Sequence, residues 1–165
     1  MHPILTGVLV APAMGFFWGW VWLLDIRVGG EFMYYFAYGS NLSRKQMKER
    51  CPDSKPMFVA SLRNYRLVFA GWLRQWRGGV ASIKPFRGEK VLGAVYEISE
   101  RDLRQLDKSE GYPDNYTRVN VTVTGEFGNQ IEAVTYIKIR QLEETQPSRE
   151  YLSAIQQGYK DWESF

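Results

Sequence analysis

The sequence predicts an α+β domain in which a closed or strongly curved sheet is flanked by a few helices. Three observations carry this. Strand-like segments outnumber helical ones from residue 33 onward. The first of them, Met33–Tyr38, is apolar on both faces, as a central strand is. Two later segments, Tyr116–Val123 and Ile131–Ile139, alternate with the period of two that marks a half-buried strand.

The elements follow in order. Met33–Tyr38 ends abruptly in Gly39-Ser40-Asn41 with no polar linker. Ser43–Arg50 then reads as a short helix, with Ser43 and Gln46 spaced as a capping box. Strands are expected near Phe58–Leu62, Tyr65–Ala70, Val80–Ile83 and Lys90–Ile98. A second short helix, Glu100–Leu106, follows Ser99 as N-cap. In Tyr116–Val123 the valines 119, 121 and 123 share one face. Tyr116, Arg118, Asn120 and Thr122 share the other. From about Arg149 an amphipathic helix carries Tyr151, Leu152, Ile155, Tyr159 and Trp162 on one stripe.

The scarce residues exclude most nucleophilic and metal chemistry. There is one Cys, Cys51, and one His, His2. An intrachain disulfide, a Cys-Cys metal or redox pair, a Ser-His-Asp triad and a His-based zinc site therefore have too few parts. No GxxxxGK[ST] or GxGxxG phosphate loop occurs. Acid–base work must fall to Asp, Glu, Lys or Tyr. A net charge of +3 is too mild to demand a nucleic-acid partner.

The first 32 residues stand apart. Ile4–Leu24 is a charge-free run of 21 residues, as a helix about 30 Å long, the thickness of a bilayer core. Trp18, Trp20 and Trp22 cluster at its end, with Arg27 beyond, which would leave the rest of the chain cytoplasmic. Met33, immediately before YYFAYGSNL, is equally a natural start, which makes residues 1–32 an extended leader. The expected division is a leader or anchor at 1–32 and one folded domain at 33–165.

Three stretches can bear chemistry. The Gly39–Leu42 turn can present backbone N–H groups beside a helix start, where an anion such as a carboxylate binds. It can also be a plain helix cap. In Leu106–Arg118, LDKSEGYPDNYTR, a helix ends, Glu110 follows and Gly111 breaks the chain. Glu110 is a candidate acid–base group or a solvated loop charge, with Asp107 as a competing carboxylate. Arg63–Lys90 holds seven Lys/Arg against one acidic residue, Glu89, interleaved with Tyr65, Phe69, Trp72 and Trp76. That mixture can bind a single-stranded nucleic acid or an anionic lipid surface. It also describes a solvated charged hairpin.

Taken together, YFAYGSNL (Tyr35–Leu42), QWRGGVASI (Gln75–Ile83), VLGAVYEIS (Val91–Ser99), LDKSEG and PSREYLSAI (Pro147–Ile155) resemble the gamma-glutamylcyclotransferase, or AIG2-like, family. Their order and spacing cover Met33–Trp162. The resemblance implies a compact mixed β-barrel with helices around it. It implies a cofactor-independent enzyme of acyltransferase or lyase type, with no metal, acting on a small γ-glutamyl substrate. The substrate α-amine attacks its own γ-amide carbonyl, releasing 5-oxoproline and a free amine or amino acid. By motif position, Glu110 is the catalytic acid–base. Tyr38, Gly39, Ser40, Asn41, Leu42, Tyr116 and Tyr151 bind substrate, and Trp76 closes the pocket. Asn41-Leu42 departs from the glutathione-specific branch. No nucleic-acid partner is expected, and membrane contact only if residues 4–24 anchor the chain. The alternative is a non-catalytic small-ligand, RNA-binding or membrane-surface protein on the same barrel.

Overall fold

A computed structural model describes residues 32–140 and 143–163. The leader and its apolar run lie outside the described residues. No described helix is long and apolar enough to cross a membrane.

Five strands close into a barrel in the order β1-β3-β2-β4-β5. They are β1 (Met33–Ala37), β2 (Lys55–Leu73), β3 (Gly78–Ile98), β4 (Tyr116–Gly125) and β5 (Gln130–Lys138). Neighbours pair antiparallel except at the seam, where β1 meets β5 in parallel through Tyr35 and Val134. Three helices lie around the barrel: α1 (Arg44–Arg50), α2 (Glu100–Glu110) and α3 (Arg149–Trp162). The turn Ser40–Leu42 is a single 3₁₀ turn between β1 and α1.

The core is where the alternation predicts it. Phe36, Ala37, Ile83, Ala94, Val95, Ile98, Leu106 and Val123 are fully buried. Burying each of the larger ones contributes roughly 1.5–3 kcal/mol. Each helix starts at a serine whose hydroxyl accepts a backbone N–H: Ser43 from Gln46, Ser99 from Asp102 and Ser148 from Tyr151. This leaves fewer orphan donors at each helix start. Only half of the expected capping box forms at α1. The Gln46 side chain reaches instead to Ser40 Oγ at 2.8 Å and Asn41 Oδ1 at 3.3 Å.

Two expected boundaries are not strand ends. The break at Arg63-Asn64 is a bulge inside β2, where Asn64 adopts φ 60° and the register with β3 slips. Residues 86–89 of β3 bulge opposite it, tied back by Gly88 N–H donating to Asn64 Oδ1 at 3.2 Å. A bulge interrupts the sequence alternation as a turn would, yet the strand continues. β2 and β3 therefore form one long hairpin that carries the basic segment. Its charges are engaged on an exposed surface: Arg66 with Glu89 at 2.7 Å and Lys84 with Glu144 at 2.8 Å.

Two packing contacts set the site. The segment 144–147 straps the hairpin end, with Thr145 N–H donating to Phe69 O and Gly79 N–H to Gln146 O, each at 2.9 Å. At the other side α3 is latched to the 3₁₀ turn. Trp162 Nε1 and Tyr96 OH both donate to Leu42 O, at 3.0 and 3.2 Å. Gly158 makes this approach possible, since a Cβ there would lie 2.5 Å from Leu42 Cβ.

Candidate active site

The end of β1 delivers Tyr35 and Tyr38 to one face of the barrel wall, and the chain then turns at Gly39. Gly39 has φ −113°, so its use is space rather than a left-handed turn. A Cβ would stand 3.3 Å from Ala81 Cβ and 3.4 Å from Tyr151 OH. α2 approaches from the other side. Glu110 is its last residue, not a loop residue beyond its end. Gly111 closes the helix in the left-handed conformation, φ 67°, which costs glycine little. The helix therefore ends at the carboxylate and aims it at the turn.

A small cavity of about 40 Å³ lies between them. It is lined by the turn residues Gly39, Ser40 and Asn41, by Glu110 and Ala81, and by five tyrosines. Of the eight site residues expected from sequence, Tyr38, Gly39, Ser40, Asn41, Glu110, Tyr116 and Tyr151 line it. Leu42 does not. Its N–H donates to Gly39 O at 3.0 Å, closing the 3₁₀ turn, and the residue is buried against Gly158. The Leu42 amide is thus spent inside the turn, and the Ser40 amide faces the Tyr151 hydroxyl. Trp76 is half-buried outside the lining, its ring 4.9 Å from that of Tyr151. Asp107, the competing carboxylate, is taken up elsewhere. It accepts from Tyr136 OH at 2.7 Å and pairs with Arg118 Nε at 3.4 Å.

Asn41 joins the two halves. Its Nδ2 donates to Glu110 Oε1 at 3.0 Å and to Tyr35 OH at 2.9 Å. Its Oδ1 accepts from Arg50 at 2.7 Å and from Gln46 at 3.3 Å. A buried amide with both ends engaged has one orientation. The motif reading assigned Asn41 only to the turn. The side-chain bridge, and Arg50 behind it, require the fold to bring the end of α1 beneath the end of α2.

The tyrosine hydroxyls are mostly committed to the framework. Tyr116 OH donates to Ala81 O, and Tyr151 OH accepts from Ala81 N–H, both at 2.9 Å. Tyr38 OH donates to Tyr136 O across the seam. Burial raises the pKa of all five, with the Glu110 charge adding to the rise at Tyr35, Tyr38, Tyr116 and Tyr151. Tyr151 is pushed up to about 12. These phenols stay neutral at physiological pH.

Glu110 is the one carboxylate of the cavity lining. Burial raises its pKa above the ordinary value of 4.5, while Arg50, the Asn41 amide and Lys138 pull it back. A half-buried carboxylate of raised pKa, in a cleft beside the Gly39–Asn41 turn, is equipped to take and return a proton. Tyr35, Tyr136 and Ala81 also line the cavity and were not singled out from sequence. For Tyr136 the available signal was its place in the alternating Ile131–Ile139 segment, which does not say what its face covers.

Comparison with known proteins gives a consistent result. The profile of the gamma-glutamyl cyclotransferase, AIG2-like family matches residues 35–163. The gamma-glutamylcyclotransferase of Bos taurus is 34% identical over 137 residues, covering 80% of this chain and 72% of that protein. The Homo sapiens protein of the same name is 32% identical over 136 residues, covering 79% and 72%. A solved structure titled gamma-glutamyl cyclotransferase superposes with a TM-score of 0.77 at 30% identity, covering 81% of each chain. The chain belongs to the gamma-glutamyl cyclotransferase, AIG2-like family.

Proposed function

We propose that this protein is a γ-glutamyl cyclotransferase that uses Glu110 as its acid–base group. The observation that carries the reading is the juxtaposition of Glu110 with the Gly39–Asn41 turn across one small cavity, in a chain of this family. The γ-glutamyl head would enter with its α-carboxylate against the turn amides. Its α-ammonium would lie toward Glu110. The carboxylate takes one proton from the ammonium. The freed amine nitrogen attacks the γ-carbonyl carbon, and a five-membered lactam closes as the new C–N bond forms. The old C–N bond breaks as Glu110 returns that proton to the departing nitrogen, and the second proton that the attacking nitrogen sheds on becoming the lactam N–H passes, again through Glu110, to the departing amine, which leaves as an ammonium. The products are 5-oxoproline and the free amine or amino acid.

Nucleophile and electrophile belong to one molecule, so much of the barrier is removed by holding a reactive conformer. The proton step is the chemical difficulty. A Glu of ordinary pKa is about 3.7 units too acidic to accept a proton from an α-ammonium, a gap of about 5 kcal/mol. Burial of Glu110 narrows that gap.

The test is 5-oxoproline release from a panel of γ-glutamyl amines and amino acids. Glu110→Gln keeps the shape and an acceptor for Asn41 but cannot move a proton. It should bind substrate and lose turnover by about 10²-fold or more. Near-normal turnover in that variant would sink the assignment.

A further inference from the structure

Further down the β2–β3 hairpin the basic side chains Arg66 and Lys84 have acidic partners, but the tip is left open. There the chain reads GWLRQWRGG, Gly71–Gly79. Trp72, Leu73, Arg74 and Gln75 are exposed in succession, so the tip is a protrusion rather than a groove. Trp72 is 63% exposed and Leu73 42%. Trp76 is instead half-buried, its ring on that of Tyr151.

The tip is held in a form that keeps these apolar side chains out. Leu73 O accepts from Trp76 N–H at 3.1 Å and from Arg77 N–H at 2.8 Å, which closes a tight turn. Gly78, paired with Leu73, is pressed under the strap, where a Cβ would stand 2.8 Å from Gln146 O. Arg74 and Arg77 flank the turn and are exposed. The tip holds no acidic residue, and among the described residues neither arginine is ion-paired with a carboxylate.

An exposed Trp-Leu pair between two uncompensated arginines has the chemistry of an interfacial anchor. Tryptophan settles at the headgroup level of a bilayer, with its apolar body toward the chains. Leucine gains only by entering hydrocarbon, and arginine binds phosphate through its planar fork. A single-stranded nucleic acid asks for something else, a groove lined by stacking rings. Here the surface is convex and one of its two apolar residues is aliphatic. The sequence gives a second reason for a bilayer, the charge-free run Ile4–Leu24 with its three tryptophans.

We propose that the β2–β3 hairpin tip docks on an anionic phospholipid bilayer, with Trp72 and Leu73 entering the interface and Arg74 and Arg77 on lipid phosphates. Membrane contact is then a property of the folded domain and not of residues 4–24 alone. Phe69 and Trp76 of the same hairpin both pack on Tyr151, so the docked face lies beside the candidate active site. The proposal does not depend on the γ-glutamyl reading.

The test places an environment-sensitive fluorophore on the full chain at Trp72→Cys. Cys51 is buried, its thiol pushed up to about 12 by burial, and does not compete for label. The control label is at Phe127→Cys, in the β4–β5 turn, whose Gly125 pairs with Ala60 far along β2 from the tip. The vesicles are equimolar phosphatidylcholine and phosphatidylglycerol. Emission at residue 72 should shift to the blue and be quenched by a lipid-borne nitroxide, while the label at residue 127 responds to neither. Replacing both arginines, Arg74→Gln with Arg77→Asn, should raise the lipid concentration needed at residue 72 about tenfold. Asparagine suits the positive φ of 53° at position 77. Leu73→Cys gives a second reading of the tip, and silence at both positions overturns the proposal. So does an equal response at residue 127, which would mean tethering without a preferred face. A response as strong on phosphatidylcholine alone, or one untouched by loss of both arginines, overturns it too. Tighter binding of single-stranded RNA than of vesicles by the same labelled protein would make the tip a nucleic-acid surface instead.

Discussion

Asn41 can serve Glu110 only while its amide points one way, and Arg50 decides which. The guanidinium donates to Oδ1 and so commits Nδ2 to the carboxylate. Arg50 also lowers the Glu110 pKa through its charge. Arg50→Met should therefore act twice. Turnover at neutral pH should fall about tenfold or more, the usual scale for losing a charged hydrogen bond. The acid limb of the pH–rate profile should move to higher pH, and Arg50→Lys should restore part of both. An unshifted limb would mean that Arg50 only packs the helix. Glu110 itself makes a stability prediction. Its folded pKa lies above the ordinary 4.5, so its contribution to stability is full below that value and is lost as pH rises through the folded pKa. Glu110→Gln should then melt at a higher temperature than the unsubstituted protein at pH 7–8. The two should converge near pH 4. A melting-temperature gap independent of pH would show that burial of the charge is not its origin.

At the scale of elements, the close approach of α3 to the 3₁₀ turn positions half of the site. Gly158→Ala would put a Cβ 2.5 Å from Leu42 Cβ and 2.9 Å from Ser43 N. Backbone cannot yield there without moving the turn. Overpacking of this kind costs about 1–3 kcal/mol, and here it should also raise KM, because Gly39–Asn41 shift with Leu42. Denaturant melts and steady-state kinetics on one variant check both effects. How well each element could be read from sequence depended on whether its pattern was local. The alternation of Tyr116–Val123 placed β4, including Tyr116 on the face away from the valines. The serine caps at Ser43 and Ser99 placed the first two helix starts, and the apolar stripe of Tyr151, Leu152, Ile155, Tyr159 and Trp162 placed the third. β2 and β3 were cut into pieces because a bulge at Asn64 breaks the alternation without ending the strand. Glu110 was found by motif, but its place as the last helical residue depends on the Gly111 cap. Arg50, Tyr136 and Lys138 were not legible, since each gains its meaning from a register or helix contact with residues far away in the chain.

At the scale of the molecule, the closed barrel leaves its strands paired with neighbours, and the site lies where the turn after β1 and the end of α2 meet the wall strands. The sheet class was legible from the count of strand-like segments. Which strand meets which was not, because pairing order is set by tertiary packing rather than by any local signal. The seam between β1 and β5 joins residues about a hundred apart in sequence: Thr135 Oγ1 donates to Phe36 O at 2.8 Å with a separation of 99. Tyr35 and Tyr38 lie on that seam and also line the cavity. Contacts this distant cost the most chain entropy and form after local ones. Catalytic competence should thus be the last property the chain acquires as it folds. On refolding from denaturant, far-UV circular dichroism should recover ahead of 5-oxoproline-forming activity, and no partly assembled species should turn over substrate.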